Sequence, residues 1–181
     1  MRHTLIALVQ DHPGVLNRVV SLFRRRGYNI ESLAVGASET PGLSRMTIAV
    51  DVRDVDQVVK QFSRLIEVVT VRSVTNDRTV VRETALVKVT TPADGARRRE
   101  LAGLAAEAGA RVLDTSDATV LLEITAGPEE VSEFVAAART CGTVELTRSG
   151  RIAMALGATS LLAAPSPYFW QADGAADHAA A

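Results

Sequence analysis

The apolar run Leu5-Ile6-Ala7-Leu8-Val9 stops at Asp11-His12-Pro13-Gly14, the pattern of a strand buried on both faces and ended by a loop. After the loop the period changes. Val15, Leu16, Val19, Val20, Leu22 and Phe23 fall on one broad helical face, Asn17, Arg18, Ser21, Arg24 and Arg25 take the other, and Gly27 supplies the stop. Residues 28–35 read as a second strand and Glu39-Thr40-Pro41-Gly42 as its turn. Met46, Ile48, Val50 and Val52 alternate with Thr47, Ala49 and Asp51, the period of a half-buried third strand. Behind the N-cap candidate Asp54, residues Val55, Val58, Val59, Phe62, Leu65 and Ile66 recur at helical spacing. Residues 68–74 then form a β-branched fourth strand, which completes the order βαββαβ.

The same order begins again with little residue similarity. Residues 85–89 are strand-like, residues 94–108 helical with Leu101, Leu104 and Ala105 inward, and Gly109 closes that helix. Residues 111–113 and 119–124 read as a tight strand pair, 128–139 as a helix with Val131, Phe134 and Val135 inward, and 144–147 as a last strand. Two copies of one supersecondary unit account for the length, and a direct hairpin inside each copy is the mark of the ferredoxin-like split βαβ arrangement. The fold class expected is therefore α+β, with ferredoxin-like domains at about 1–77 and 78–156. Residues 157–181 are rich in Ala, Gly, Pro and Asp without any period and read as a disordered tail. Tyr168-Phe169-Trp170 interrupts it, either incidentally or as an anchor for a partner.

Composition narrows the function classes. The 20 Lys and Arg residues balance 21 Asp and Glu, a net charge of -1, so no electrostatic attraction to nucleic acid or to an anionic membrane is expected. RNA-recognition domains share the βαββαβ order, but residues 45–52 lack their stacking aromatics. Cys141 stands alone, which forbids an internal disulfide and fits a reducing cytoplasm. The first apolar run is too short for a signal peptide, and residues 152–164 are broken by Gly157, Thr159 and Ser160 before membrane-spanning length. His3, His12 and His178 lie near the termini or in a loop, so no histidine-based catalytic cluster forms and no catalytic residue is assigned. Arg24-Arg25-Arg26 suits the negative end of a helix dipole, Arg97-Arg98-Arg99 reads as a solvated face, and Glu129-Glu130 sits where a first helical turn favours acids. No phosphate loop, dinucleotide fingerprint or metal-ligand spacing occurs.

The loop Asp11-His12-Pro13-Gly14 keeps its interest because it feeds directly into a helix. Helix N-termini present unpaired N–H groups and a partial positive charge, to which a carboxylate or phosphate docks, and glycine lets a ligand approach the backbone. Pro-Gly at a helix start is also an ordinary turn, and the residues alone leave both readings open.

The blocks Pro13-Gly14-Val15-Leu16, Arg26-Gly27-Tyr28-Asn29-Ile30-Glu31-Ser32-Leu33 and Ser44-Arg45-Met46-Thr47-Ile48 resemble, at these separations, the small regulatory subunit of acetolactate synthase (acetohydroxyacid synthase). Leu86-Val87-Lys88-Val89 and Arg148-Ser149-Gly150 resemble that family's second domain, so only the tail is left outside. The resemblance implies an N-terminal ACT domain in a non-catalytic subunit. Such a subunit raises the activity of the large catalytic subunit and makes it sensitive to branched-chain amino acids, chiefly valine. Thiamine diphosphate, magnesium and FAD would belong to that catalytic partner, with no cofactor here. Two ACT domains would pair as a homodimer and hold the effector at their interface. The resemblance assigns Asp11, His12, Pro13, Gly14, Val15 and Leu16 to the loop side and Asn29 and Ile30 to the facing side. The backbone N–H groups near Gly14 would take the effector carboxylate, and the Asn29 carbonyl its ammonium. Position 11 is Asp where the family often has Asn, and position 17 is Asn where Ser or Ala is common. The alternatives are a free-standing ACT-type sensor acting on another enzyme or a transcription factor, and a small enzyme on the same scaffold, for which nucleophile, base and metal cluster are all missing.

Overall fold

The computed structural model describes residues 1–75, 78–91 and 95–157. The proposed helix start at Asp94, most of the proposed tail with its aromatic trio, and His178 lie outside the described residues. Two compact units divide the chain, one formed by Met1–Thr79 with the described residues from Ala155 on, the other by Val80–Met154.

In the first unit, β1 (Arg2–Gln10), α1 (Val15–Arg25), β2 (Asn29–Ala37), β3 (Leu43–Asp51), α2 (Val55–Phe62) and β4 (Val68–Ser73) make a four-stranded antiparallel sheet in the order β2-β3-β1-β4. The uninterrupted apolar run earns β1 its central place, since Leu5, Ile6, Ala7, Leu8 and Val9 are each no more than 1% exposed. Leu5, Ala7 and Val9 face the helices with Met46, Ile48 and Val50, and meet Val15, Val19, Leu22 and Phe23 of α1 and Val58 and Phe62 of α2. Phe23 stands edge-on to Phe62 at 5.6 Å and to Tyr28 at 6.0 Å, geometries that add about 0.5–1.5 kcal/mol each beyond simple burial. Asp54 caps α2 as its spacing implied, accepting a 3.0 Å hydrogen bond from the Gln57 N–H. That helix is shorter than its apolar period suggests. It ends at Phe62, and Ile66 is 73% exposed because it falls in the corner that turns the chain into β4.

The second unit repeats the plan with β5 (Thr79–Thr90), α3 (Gly95–Glu107), β6 (Arg111–Thr115), β7 (Thr119–Ala126), α4 (Pro128–Cys141) and β8 (Thr143–Arg148), and adds β9 (Ile152–Ala155) beside β5. Ala85, Val87, Val89, Val120, Leu122 and Ile124 pack under Leu101, Ala105, Val131, Phe134, Val135, Ala138 and Cys141. Strand β5 begins six residues before the expected start because Glu83, which breaks the apolar pattern, has its charge matched inside the fold. Arg148 Nε and Nη2 donate to Glu83 Oε1 and Oε2 at 2.8 and 2.6 Å, and the same guanidinium reaches the Pro128 carbonyl and Ser132 Oγ at 3.2 Å. Strand β9 hides in a generally apolar stretch, where Ala153 is its one buried side chain and Met154 is 63% exposed. Arg98 is no free surface charge, for its guanidinium donates to the Ser116 and Asp117 carbonyls and ties α3 to the β6–β7 turn.

Gly142 joins α4 to β8 with its backbone extended, a conformation open to any residue, but a Cβ there would lie 2.1 Å from the Thr90 carbonyl oxygen. Substitution forces the β5–β8 pairing apart. Gly142→Ala is expected to destabilise the second unit by about 1–3 kcal/mol and lower its melting temperature by roughly 4–8 °C per kcal/mol. Thermal denaturation followed by circular dichroism checks this, and an unchanged midpoint contradicts it.

Candidate binding site

The β1–α1 loop is fastened from two sides. The Asp11 N–H donates to the Gly42 carbonyl in the β2–β3 hairpin and the Gln10 N–H to the Glu67 carbonyl in the α2–β4 corner, both at 2.8 Å. The His12 ring folds back on the loop, with Nδ1 3.1 Å from the Pro13 carbonyl oxygen and Nε2 3.1 Å from Gln10 Oε1. Its nitrogens thus serve the loop itself. Asp11, His12, Pro13 and Gly14 are all exposed.

Gly14 is the N-cap of α1, at φ 94° and ψ -17°, a left-handed conformation that side chains rarely adopt. Among the described residues, no side chain caps this helix end, and its first turn holds no acid. The first i to i−4 bond runs from the Arg18 N–H to the Gly14 carbonyl at 3.0 Å, which leaves the Leu16 and Asn17 N–H groups ahead of the ladder. An open, positively polarised helix end results, suited to one carboxylate. Val15 is only 4% exposed and belongs to the core, so its side chain is turned away from any ligand at the loop surface, whereas Leu16 is 45% exposed.

Asn29 and Ile30 stand elsewhere. In the sheet Asn29 is opposite Asp51 and Ile30 opposite Val50, whereas Gln10, at the mouth of the loop, is opposite Leu43. The register from Leu43 to Asp51 spans roughly 25 Å of strand, so the two groups lie at opposite ends of one sheet. Asn29 is exposed there and Ile30 half-buried, and a bulge follows between Ile30 and Ser32. Beside Asn29, the Met1 amino group donates to Asp51 at 2.5 Å and by that bond and its charge holds the carboxyl below its usual range. Arg2 Nε donates to Glu31 at 3.1 Å at the same end.

Among the described residues, strand β2 is an edge, paired only with β3. Next to it α1 exposes Leu16 and, one turn on, Val20 at 39%, although both share the broad apolar face whose other members fill the core. Val35 on β2 is 46% exposed. This leaves an apolar seam along an open sheet edge.

Sequence reasoning passed over Arg18 and Glu67. Glu67 has a side chain 4% exposed, and its Oε1 lies 2.6 Å from Arg18 Nη1 at the base of the loop. The signal was a lone acid within Leu65-Ile66-Glu67-Val68-Val69. Among the described residues, no group of three or more His, Cys, Asp or Glu side chains is placed to hold a metal ion, and no helix is long and apolar enough to cross a membrane.

The first unit, a βαββαβ fold with a glycine turn into its first helix, has the plan of an ACT domain, and a second unit of related plan follows. Residues 5–70 match the family model described as an AHAS small subunit-like ACT domain, and residues 82–157 the one described as small subunit of acetolactate synthase. The chain belongs to the acetolactate synthase small-subunit family. It is 44% identical over 159 residues to a protein of Archaeoglobus fulgidus described as a "Probable acetolactate synthase small subunit", covering 87% of this chain and 98% of that one. The acetolactate synthase small subunit of Mycolicibacterium smegmatis is 41% identical over 164 residues, covering 90% and 95%. The crystal structure of the acetolactate synthase small subunit from Thermotoga maritima superposes with a TM-score of 0.79 at 35% identity, covering 88% of this chain and 99% of that chain.

Proposed function

We propose that this chain is the regulatory subunit of an acetolactate synthase. In this reading it pairs with itself through the ACT domain, binds a branched-chain amino acid, valine foremost, and sets the activity of the large catalytic subunit. One observation carries the reading. The loop that ends at Gly14 and the start of β2 at Asn29 lie at opposite ends of one sheet whose β2 edge is open among the described residues. Antiparallel pairing of two β2 edges about a two-fold axis sets the loop of one chain beside the Asn29 of the other, twice over. Leu16, Val20 and Val35 supply the apolar seam.

The chemistry of an α-amino acid fits this pairing. The N–H groups of Leu16 and Asn17 and the helix dipole take the carboxylate, the Asn29 carbonyl of the facing chain takes the ammonium, and Leu16 and Ile30 meet the branched side chain. Asp11 adds a second acceptor for the ammonium from the loop side. Because the ligand touches both chains, it favours whichever arrangement of the pair brings them to the right separation. That difference is what is passed to the catalytic subunit, typically as 1–3 kcal/mol of coupling. Thiamine diphosphate, magnesium and FAD belong to the partner and carry its chemistry, while this chain supplies the sensor.

Two outcomes are expected. Val20→Asp puts a charge in the seam and shifts the chain from dimer to monomer in sedimentation velocity at micromolar concentration; a dimer that persists unchanged places the interface elsewhere. Gly14→Asp sets a carboxylate at the ligand's anion site. Apart from its chain neighbours, no heavy atom of the described residues lies within 4 Å of a Cβ there, so the substitution adds backbone strain at φ 94° without a clash, and Asp tolerates such a backbone better than most residues. Loss of the charge-assisted bonds raises the valine concentration for half-inhibition of the reconstituted holoenzyme by at least about tenfold. An unchanged valine titration moves the effector away from this loop.

A further inference from the structure

We propose that Arg18 and Glu67 form a strut that positions the first turn of α1, and that this pair determines how tightly the amino-acid site holds its ligand. The proposal rests on the effector reading above. Glu67 is bound to both flanks of the loop. Its backbone carbonyl accepts from the N–H of Gln10, the last residue of β1, at 2.8 Å, and its Oε1 lies 2.6 Å from Arg18 Nη1. Arg18 is in turn the first residue of α1 to join the helical ladder, through Gly14. The path Glu67, Arg18, Gly14 therefore runs from a fixed corner of the sheet to the open helix end.

Stability alone gives no reason for an ion pair at this position. The Glu67 side chain is 4% exposed, and its desolvation is offset by a guanidinium that is itself 62% exposed; an apolar residue of similar size commonly serves a fold as well or better. The pairing is also incomplete. Glu67 Oε2 is buried and, among the described residues, has no hydrogen-bond partner, although an arginine presents five N–H donors. What a close ion pair to a buried carboxylate does supply is position. It fixes where the first turn of α1 stands relative to the α2–β4 corner, and the Leu16 and Asn17 N–H groups stand with it. A ligand gripped between this turn and a second chain is sensitive to displacements of a fraction of an ångström, because hydrogen bonds weaken steeply off their preferred geometry.

The test uses the full chain as wild type, Glu67→Gln, Arg18→Met, the double variant and Arg18→Lys. Valine binding is measured by calorimetry and backbone amide exchange in α1 without ligand. Each single loss is expected to weaken valine roughly tenfold, the double variant to be no weaker than the worse single, and Arg18→Lys to recover most of the affinity because it restores the charge. The amides of residues 16–18 are expected to exchange faster in Glu67→Gln, while the far end of α1 is unaffected. A folded Glu67→Gln chain with wild-type valine affinity overturns the strut, as does a double variant whose loss is the sum of the two singles. If Glu67→Gln fails to fold, Arg18→Met and Arg18→Lys at the exposed end of the pair decide by the same criterion. If wild type binds no valine at all, the effector reading is what fails, and the exchange rates judge the strut, unchanged protection of residues 16–18 being the contrary result.

Discussion

The antiparallel register of the first sheet is the constraint on which the rest depends. Because β1 and β3 run in opposite directions along their whole length, Gln10 opposite Leu43 and Arg2 opposite Asp51, every connection is sent to one of two ends. The β1–α1 loop, the β2–β3 hairpin and the α2–β4 corner gather at one end, where the Gly42 and Glu67 carbonyls fasten the loop. The start of β2 is sent to the other. No side-chain choice within a single chain brings Gly14 and Asn29 together, so an amino-acid site using both must be shared. Sharing in turn makes the ligand a sensor of how two chains are arranged, which is the physical requirement for control at a distance.

The residues at the loop end divide the work between holding and exposing. Val15 is spent in the core, His12 folds back onto its own loop, and Gly14 absorbs the left-handed turn, so the first helical turn arrives with its N–H groups open. An ordinary N-cap such as Ser or Asp would stabilise the helix by about 1 kcal/mol but would fill those groups from within. The cap is forgone, and the loop is instead secured from outside by backbone bonds and by the buried carboxylate of Glu67. The contrast within the chain is α4, the counterpart of α2, where Glu130 in the first turn accepts from the Gly127 N–H at 2.7 Å.

Much of this was legible in the residues because hydrophobic period translates directly into burial. The repeated βαββαβ order, the doubly buried first strand, the Asp54 cap and the loop entering α1 were all read from spacing. What escaped had local patterns that conflict with the tertiary outcome. Glu83 and Glu67 are acids at buried positions, made acceptable by Arg148 and Arg18 from distant parts of the sequence, which no local window reveals. Leu16 and Val20 share a face with Val15 and Val19, and periodicity cannot separate the stripe that meets the sheet from the margin left outside it. Strand β9 shows one buried alanine and so little contrast that it merges with the apolar stretch around it. The residues assigned to the site carried no sign in themselves that they divide between two ends of a sheet; that needed the register.

Mixing two defective chains tests the shared site most directly. Gly14→Asp spoils the loop side and Asn29→Leu removes the acceptor on the facing side. Each homodimer is expected to lose valine binding, while a heterodimer assembles one intact site from the unaltered loop of one chain and the unaltered Asn29 of the other. After subunit exchange of an equimolar mixture, calorimetry is predicted to recover roughly a quarter of the wild-type number of sites, at wild-type affinity. A mixture that binds no better than its two components would contradict a site built across two chains.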